Sequence, residues 1–259
     1  VSPKWVPQLA DHQALIESLS LNSTESKTNK KINYPVLTPN LKGFDNAIES
    51  GAKEVAIFAA ASEAFSKNNI NCTIDESIER FTPILAKAKD LNIPVRGYIS
   101  CVLGCPFQGD VDEVGVVKIA KQLRELGCYE ISLGDTIGVG TPRKTQSLIK
   151  AVANEVDIDQ LAVHFHDTYG QAIANVYASL EMGIKNLDSS ISGLGGCPYA
   201  KGASGNLATE DLVYMLDGME IESGVNLEKL IIAGDFISQF LDRLNDSKVA
   251  LAYSNKQSK

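Results

Sequence analysis

The chain has 259 residues, is 44% hydrophobic and 22% charged, and carries a formal net charge of -8. That size suits one large globular domain or a single α/β barrel, and the negative balance argues against nucleic acid or an anionic membrane as the main partner. Nowhere is there an uninterrupted apolar run of about 18 residues, the length a membrane span needs.

In chain order, the first residues (Val1-Ser2-Pro3-Lys4-Trp5) show no signal-peptide or transit-peptide pattern and no initiating Met, which is consistent with trimming. Leu21 to Lys31 is polar and aperiodic and reads as a mobile loop. Asn33 to Leu37 then reads as a strand. Three later segments share one grammar, each opening on a glycine suited to closing a helix and then entering a short strand: Gly51 to Phe58, Gly127 to Gly134 and Gly183 to Ser190. Amphipathic segments precede them, with Leu41, Phe44 and Ile48 before the first, Val116, Ile119, Ala120 and Leu123 before the second, and Asn175 to Met182 before the third. Pro94 to Ser100 and Leu161 to Gly170 supply two more strands. Strand then helix, repeated with short links, predicts parallel strands with helices outside. The fold expected is α/β, a TIM-type (β/α)8 barrel of which about six strands are recognisable, forming one domain over residues 1–259 with a C-terminal helical extension and a polar, frayed tail over 253–259.

The cysteines are Cys72, Cys101, Cys105, Cys128 and Cys197, irregularly spaced and without a CxxC pair. They read as free thiols in a reducing compartment, so the three glycosylation sequons at Asn22, Asn71 and Asn245 are taken as chance matches.

Chemistry in a parallel barrel gathers at the C-terminal ends of strands. Polar residues there include Thr38 and Asn40, Ser62 and Glu63, Arg96 and Tyr98 with Ser100 and Cys101, Asp135 and Thr136, then His164, His166 and Asp167, and Ser190 and Ser192 after the last strand. Two of the three histidines fall in one strand end, at i and i+2, so both imidazoles face one side, as a metal requires. The competing reading is a pair of ordinary buried or surface histidines. For Asp135 the competing reading is a helix N-cap. The last strand runs into Gly193 to Asn206, with glycines at 193, 195, 196, 202 and 205. The loop also holds Cys197, Pro198, Tyr199 and Lys201, so it differs from linker filler. Its glycines would let backbone approach a ligand and let the loop close as a lid. Asn206 offers an amide oxygen suited to Mg2+ or Mn2+.

Together Val1 to Gln8, Gly134-Asp135-Thr136-Ile137-Gly138, His164 to Gly170 and the Gly193–Asn206 loop resemble the 3-hydroxy-3-methylglutaryl-CoA lyase family, from Val1 to about Val249. The cysteine-bearing glycine loop is the most specific element. The resemblance implies a divalent Mg2+ or Mn2+ ion and retro-Claisen cleavage of 3-hydroxy-3-methylglutaryl-CoA to acetyl-CoA and acetoacetate, the chemistry of leucine degradation and ketone-body formation. It implies His164, His166 and Asn206 as metal ligands and Cys197 as the catalytic thiol. Asp135 would assist proton transfer, with His164 adjacent. Tyr98, Glu210, Gly195 and Gly196 would shape the substrate site or its loop. A homodimer, in the mitochondrial matrix or in the cytoplasm of a bacterium, is the family expectation.

The family pattern also begins with a strand ending in Arg-Asp and a second carrying Glu, none of which is recognisable here, and the Leu21–Lys31 loop is longer than expected. Residues 1–259 alone are therefore expected to be nearly inactive. The alternative is a non-catalytic short form that binds metal or associates with the full-length enzyme.

Overall fold

The computed structural model describes residues 10–22, 32–196 and 205–257. Six strands are present among them: β1 (Val36–Leu37), β2 (Val55–Ala60), β3 (Val95–Ser100), β4 (Glu130–Asp135), β5 (Leu161–Phe165) and β6 (Asn186–Asp188). The strand order of the sheet is that of the chain, β1-β2-β3-β4-β5-β6. β1 pairs β2, β2 pairs β3 and β5 pairs β6, all parallel. This is the strand–helix succession of a TIM-type barrel, with six of the fold's strands in the described residues. Each recognised strand segment forms its strand.

The chain divides into two compact units. The first runs to Ser100 and includes Val114–Ser132; the second comprises Cys101–Glu113 and the chain from Leu133 onward. In the first, α1 (His12–Asn22), α2 (Leu41–Glu49), α3 (Glu63–Ile70), α4 (Ile74–Asp90) and α5 (Glu113–Glu125, from its second residue) accompany β1 to β3. β2 and β3 carry mostly buried residues on both faces, as parallel strands do. α4 starts where Thr73 and Glu76 form a reciprocal capping box, with acids in its first turn and lysines in its last. α5 buries Val116, Ile119, Ala120 and Leu123, the 3.6-residue stripe legible in the sequence. Fully burying each of its larger apolar side chains contributes about 1.5–3 kcal/mol.

In the second unit α6 (Pro142–Val152) and α7 (Ala172–Glu181) flank β5, and α8 (Thr209–Gly218), α9 (Leu227–Phe240) and α10 (Lys248–Gln257) form the helical extension. Asp211 on α8 accepts from the Ser247 hydroxyl at 2.7 Å and the Val249 N–H at 2.9 Å, which caps α10. α10 continues to Gln257, so the polar segment from Tyr253, expected as a frayed tail, starts in helical conformation. No described helix is long and apolar enough to cross a membrane.

Candidate active site

The site grows from the end of β5. His164 lies on the strand; His166 lies one residue beyond it and bridges to Asn206 in antiparallel fashion. The two rings sit with centroids 5.4 Å apart. The alternation of a strand puts both on one side, and the chain keeps that direction for one residue past the strand.

Each ring is anchored through Nδ1. His166 Nδ1 lies 3.1 Å from the Asp135 carbonyl oxygen. A carbonyl only accepts, so Nδ1 carries the proton and Nε2 the lone pair. His164 Nδ1 lies 3.3 Å from Asp188 Oδ2, its register partner on β6, and the carboxylate selects the same tautomer. An imidazole whose outer nitrogen is held by a carbonyl or carboxylate is the usual arrangement behind a metal-binding Nε2. Burial, and after it the neighbouring His164, lowers the pKa of His166, favouring the neutral ring that can ligate.

Asn206 completes the group. Its backbone N–H donates to Gly195 O at 3.1 Å, and its Nδ2 donates to Leu194 O at 2.9 Å. Its Oδ1 is buried and has no hydrogen-bond partner. An orphaned amide oxygen in a buried position is costly unless something fills its coordination. Leu207 N donates to Phe165 O and Asp167 N to Gly205 O, so the segment after the glycine loop is stitched to the end of β5. Gly205 is obligatory there, because a Cβ would overlap the Gly193 carbonyl oxygen. Two imidazoles and one amide oxygen suit a borderline or hard divalent cation. Among the described residues no group of three or more His, Cys, Asp and Glu side chains gathers as a cation site, so this mixed set is the candidate.

Asp135 is fully buried. Its Oδ1 accepts from Val139 N at 3.2 Å and its Oδ2 from Gly140 N at 2.8 Å, while its carbonyl holds His166. Burial raises its pKa against these N–H bonds, which act the other way. The carboxylate thus caps the turn before α6, and the backbone of the same residue orients a candidate ligand. Asp167 and Glu63, the other carboxylates near strand ends, accept backbone N–H groups: Ala172 N at 2.9 Å for Asp167 and Ile74 N at 3.3 Å for Glu63.

Glu210 is also fully buried; its two oxygens each lie 3.0 Å from Ser192 N. Gly195 has φ +82, and a Cβ there would sit 2.9 Å from Asn206 Nδ2; Gly196 has no such crowding. In the first unit, Tyr98 on β3 receives a hydrogen bond from Arg96, whose guanidinium stacks 4.8 Å over the phenol ring and pairs with Glu130. Cys72, Cys101, Cys105 and Cys128 are buried, and burial pushes the Cys128 thiol up to about 12. Cys197 lies outside the described residues.

Asp188 escapes the sequence reading. Asp188 ends a strand, the signal that singled out Asp135, but the count of polar ends on β6 started two residues later. Ser192 stands among the polar residues after the last strand, but only the fold brings it to Glu210.

The HMGL-like family profile matches residues 5–237. The rat mitochondrial hydroxymethylglutaryl-CoA lyase is 58% identical over 252 residues, covering 97% of this chain and 75% of its own length. The crystal structure of hydroxymethylglutaryl-CoA lyase from Pseudomonas aeruginosa superposes with a TM-score of 0.92 at 55% identity, over 99% of this chain and 83% of that one. An HMG-CoA lyase from Acinetobacter baumannii, solved in complex with coenzyme A and 3-methylmalate, aligns with a TM-score of 0.88 at 34% identity, over 97% and 80% of the two chains. Identity at this level across nearly the whole chain, on the fold that brings His164, His166 and Asn206 together, makes the chain a member of the hydroxymethylglutaryl-CoA lyase family.

Proposed function

We propose that the chain is a carbon–carbon lyase that cleaves 3-hydroxy-3-methylglutaryl-CoA to acetyl-CoA and acetoacetate, with Mg2+ or Mn2+ held by His164, His166 and Asn206. The observation that carries the metal reading is the buried Asn206 Oδ1 without a partner, beside two imidazoles that are both anchored through Nδ1. When bound, the cation lowers the pKa of the substrate hydroxyl and polarises a carbonyl.

The chain's own groups do the rest. Asp188 and the Asp135 carbonyl hold the two imidazoles in the Nδ1–H tautomer, so neither ring has to reorient during turnover. The hydroxyl proton must leave as the carbon–carbon bond breaks, and the thioester enolate must gain a proton on carbon. Cys197 supplies the acid–base thiol for that transfer, a role that rests on the family resemblance. Asp135 enters through the ring it orients and through a buried carboxyl group whose hold on a proton is raised. Glycines around Asn206 let the loop backbone approach the substrate and exclude water from the enolate.

The test is acetoacetate release from 3-hydroxy-3-methylglutaryl-CoA by the protein joined to the family's first two strands. The expected result is turnover that disappears on chelation and returns with Mg2+ or Mn2+. Turnover that survives exhaustive chelation, or an Asn206→Ala variant with undiminished Mn2+ affinity, overturns the ligand assignment.

We also propose a homodimer, located in the mitochondrial matrix in a eukaryote. Support for association is the exposed apolar row on and after α9, where Ile232, Phe236, Phe240 and Leu244 are 69, 70, 77 and 81% exposed. Support for the compartment is the mitochondrial designation of the rat relative. Sedimentation velocity and organelle fractionation test the two.

A further inference from the structure

We infer that Ser192 is a positioning residue, clamped by Glu210, Gly234 and Ser238, that sets which end of the Asn206 amide faces the cation. The inference rests on Asn206 being a ligand.

Ser192 is fully buried and has φ +55, ψ 19, a left-handed conformation that is unfavourable for a residue with a side chain. Such a conformation persists when its surroundings over-determine it, and here both the backbone N–H and the hydroxyl of the residue are taken. The backbone N–H donates to both Glu210 oxygens at 3.0 Å. The hydroxyl donates to Gly234 O at 2.9 Å and accepts from Ser238 Oγ at 3.1 Å. Glu210 comes from the first turn of α8, while Gly234 and Ser238 are one turn apart on α9. Two helices far along the chain therefore grip one residue of the loop.

Two residues on, Leu194 O accepts from Asn206 Nδ2, and Gly195 O accepts from Asn206 N. The two ends of an amide have nearly the same shape but opposite polarity, so a flip would present NH2 instead of oxygen. Leu194 O is an acceptor and admits only the NH2 end. Oδ1 is thereby turned to the opposite side, where it is buried without a partner. Displacing Ser192 moves the Leu194 carbonyl and removes what selects the amide's orientation. A cation would then meet the positive end of the amide dipole.

Gly234 gives access to this clamp from outside the site. A Cβ there would overlap the Glu210 carboxylate and lie 2.8 Å from Ser192 Oγ. In a helix interior, glycine to alanine ordinarily stabilises, so a loss of metal binding in that variant is not a helix effect.

The experiment measures Mn2+ affinity by electron paramagnetic resonance of free Mn2+, together with the solvent exchange of the Asn206 side-chain NH2 in the metal-free protein by NMR. Circular dichroism and urea unfolding establish that each variant is folded. Gly234→Ala and Ser192→Gly are expected to weaken Mn2+ binding about 10-fold or more, the scale of changes to groups behind a ligand, and to speed exchange of the Asn206 NH2. Glu210→Gln keeps an acceptor for Ser192 N and is expected to retain more affinity than Glu210→Ala. Wild-type affinity and wild-type NH2 exchange in folded Gly234→Ala and Ser192→Gly overturn the inference. If Gly234→Ala does not fold, Ser238→Ala, which deletes one hydroxyl, takes its place in the same comparison. If the wild-type protein takes up no Mn2+, the ligand reading fails on its own, and the NH2 exchange alone decides the clamp.

Discussion

At the residue scale, the candidate site separates groups that face the reaction from groups that hold them. His164, His166 and Asn206 converge, whereas Asp188, the Asp135 carbonyl and Leu194 O fix their orientation. Cys197 is proposed as the acid–base thiol rather than a ligand. Cys197→Ala is expected to lower kcat by roughly 10^2-fold or more, the scale for losing an acid–base group, while Mn2+ affinity changes little. A silent Cys197→Ala alongside a damaging Cys101→Ala or Cys105→Ala would reject the assignment. Those two thiols are buried, and Cys105 Sγ already accepts from Phe107 N. Glu210 carries a pH signature. Burial raises its folded pKa above 4.5, so the folded state binds the proton more tightly than the unfolded chain. Stability then falls as pH rises from 4.5 through the folded pKa, because in that window the native state is the more protonated one. Urea titrations of wild type and Glu210→Gln between pH 4 and 7 are expected to show wild type losing ground to the variant with rising pH. A difference that is constant across that range would mean the carboxyl is not titrating from its buried state.

At the element scale, the segment from Gly205 to Ala208 does the assembly. It hydrogen-bonds to the end of β5 through Leu207 N and Asp167 N and to the chain after β6 through Ser190 N and Thr209 N. Gly205 passes so close to Gly193 O that no side chain fits. Gly205→Ala is therefore expected to destabilise by about 1–3 kcal/mol, the range for overpacking, and to weaken Mn2+ binding, because Asn206 is the next residue. Gly196→Ala, which meets only Gly205 Cα at 4.0 Å, is the control expected to do much less. Equal unfolding midpoints for the two variants would remove the steric argument. Glycines in this loop looked interchangeable as hinges in the sequence; the structure distinguishes them by what lies opposite each one.

At the scale of the whole molecule, the six described strands leave β1 and β6 as the outer members of the strand order. β1 is only two residues long and Leu37 is 45% exposed. Joining residues 1–259 to the strands that the family resemblance implies, with their Arg-Asp and Glu, is expected to raise turnover by about 10^2–10^3 for the electrostatic contribution. Comparable acetoacetate release from residues 1–259 by themselves would refute that dependence and require another carboxylate at the cation. Asp167 would then have to leave the helix start it now caps.

Six strands, the amphipathic stripe of α5 and the paired histidines were legible in the sequence because each depends on spacing along a few residues. Period two aims His164 and His166 to one side, period 3.6 buries Val116 with Ile119, Ala120 and Leu123, and a glycine closes the helix before β2, β4 and β6. The orientation of those groups was not legible. His164 meets Asp188 through the register of β5 against β6, 24 residues apart in the chain. Ser192 meets Glu210 18 residues away and Gly234 42 residues away. Which carbonyl faces the Asn206 amide, and therefore which of its ends is left for a cation, follows from those long-range contacts. Sequence spacing determines which side of a strand a residue occupies; register and loop closure between distant segments decide what it meets there, and only the tertiary structure contains them.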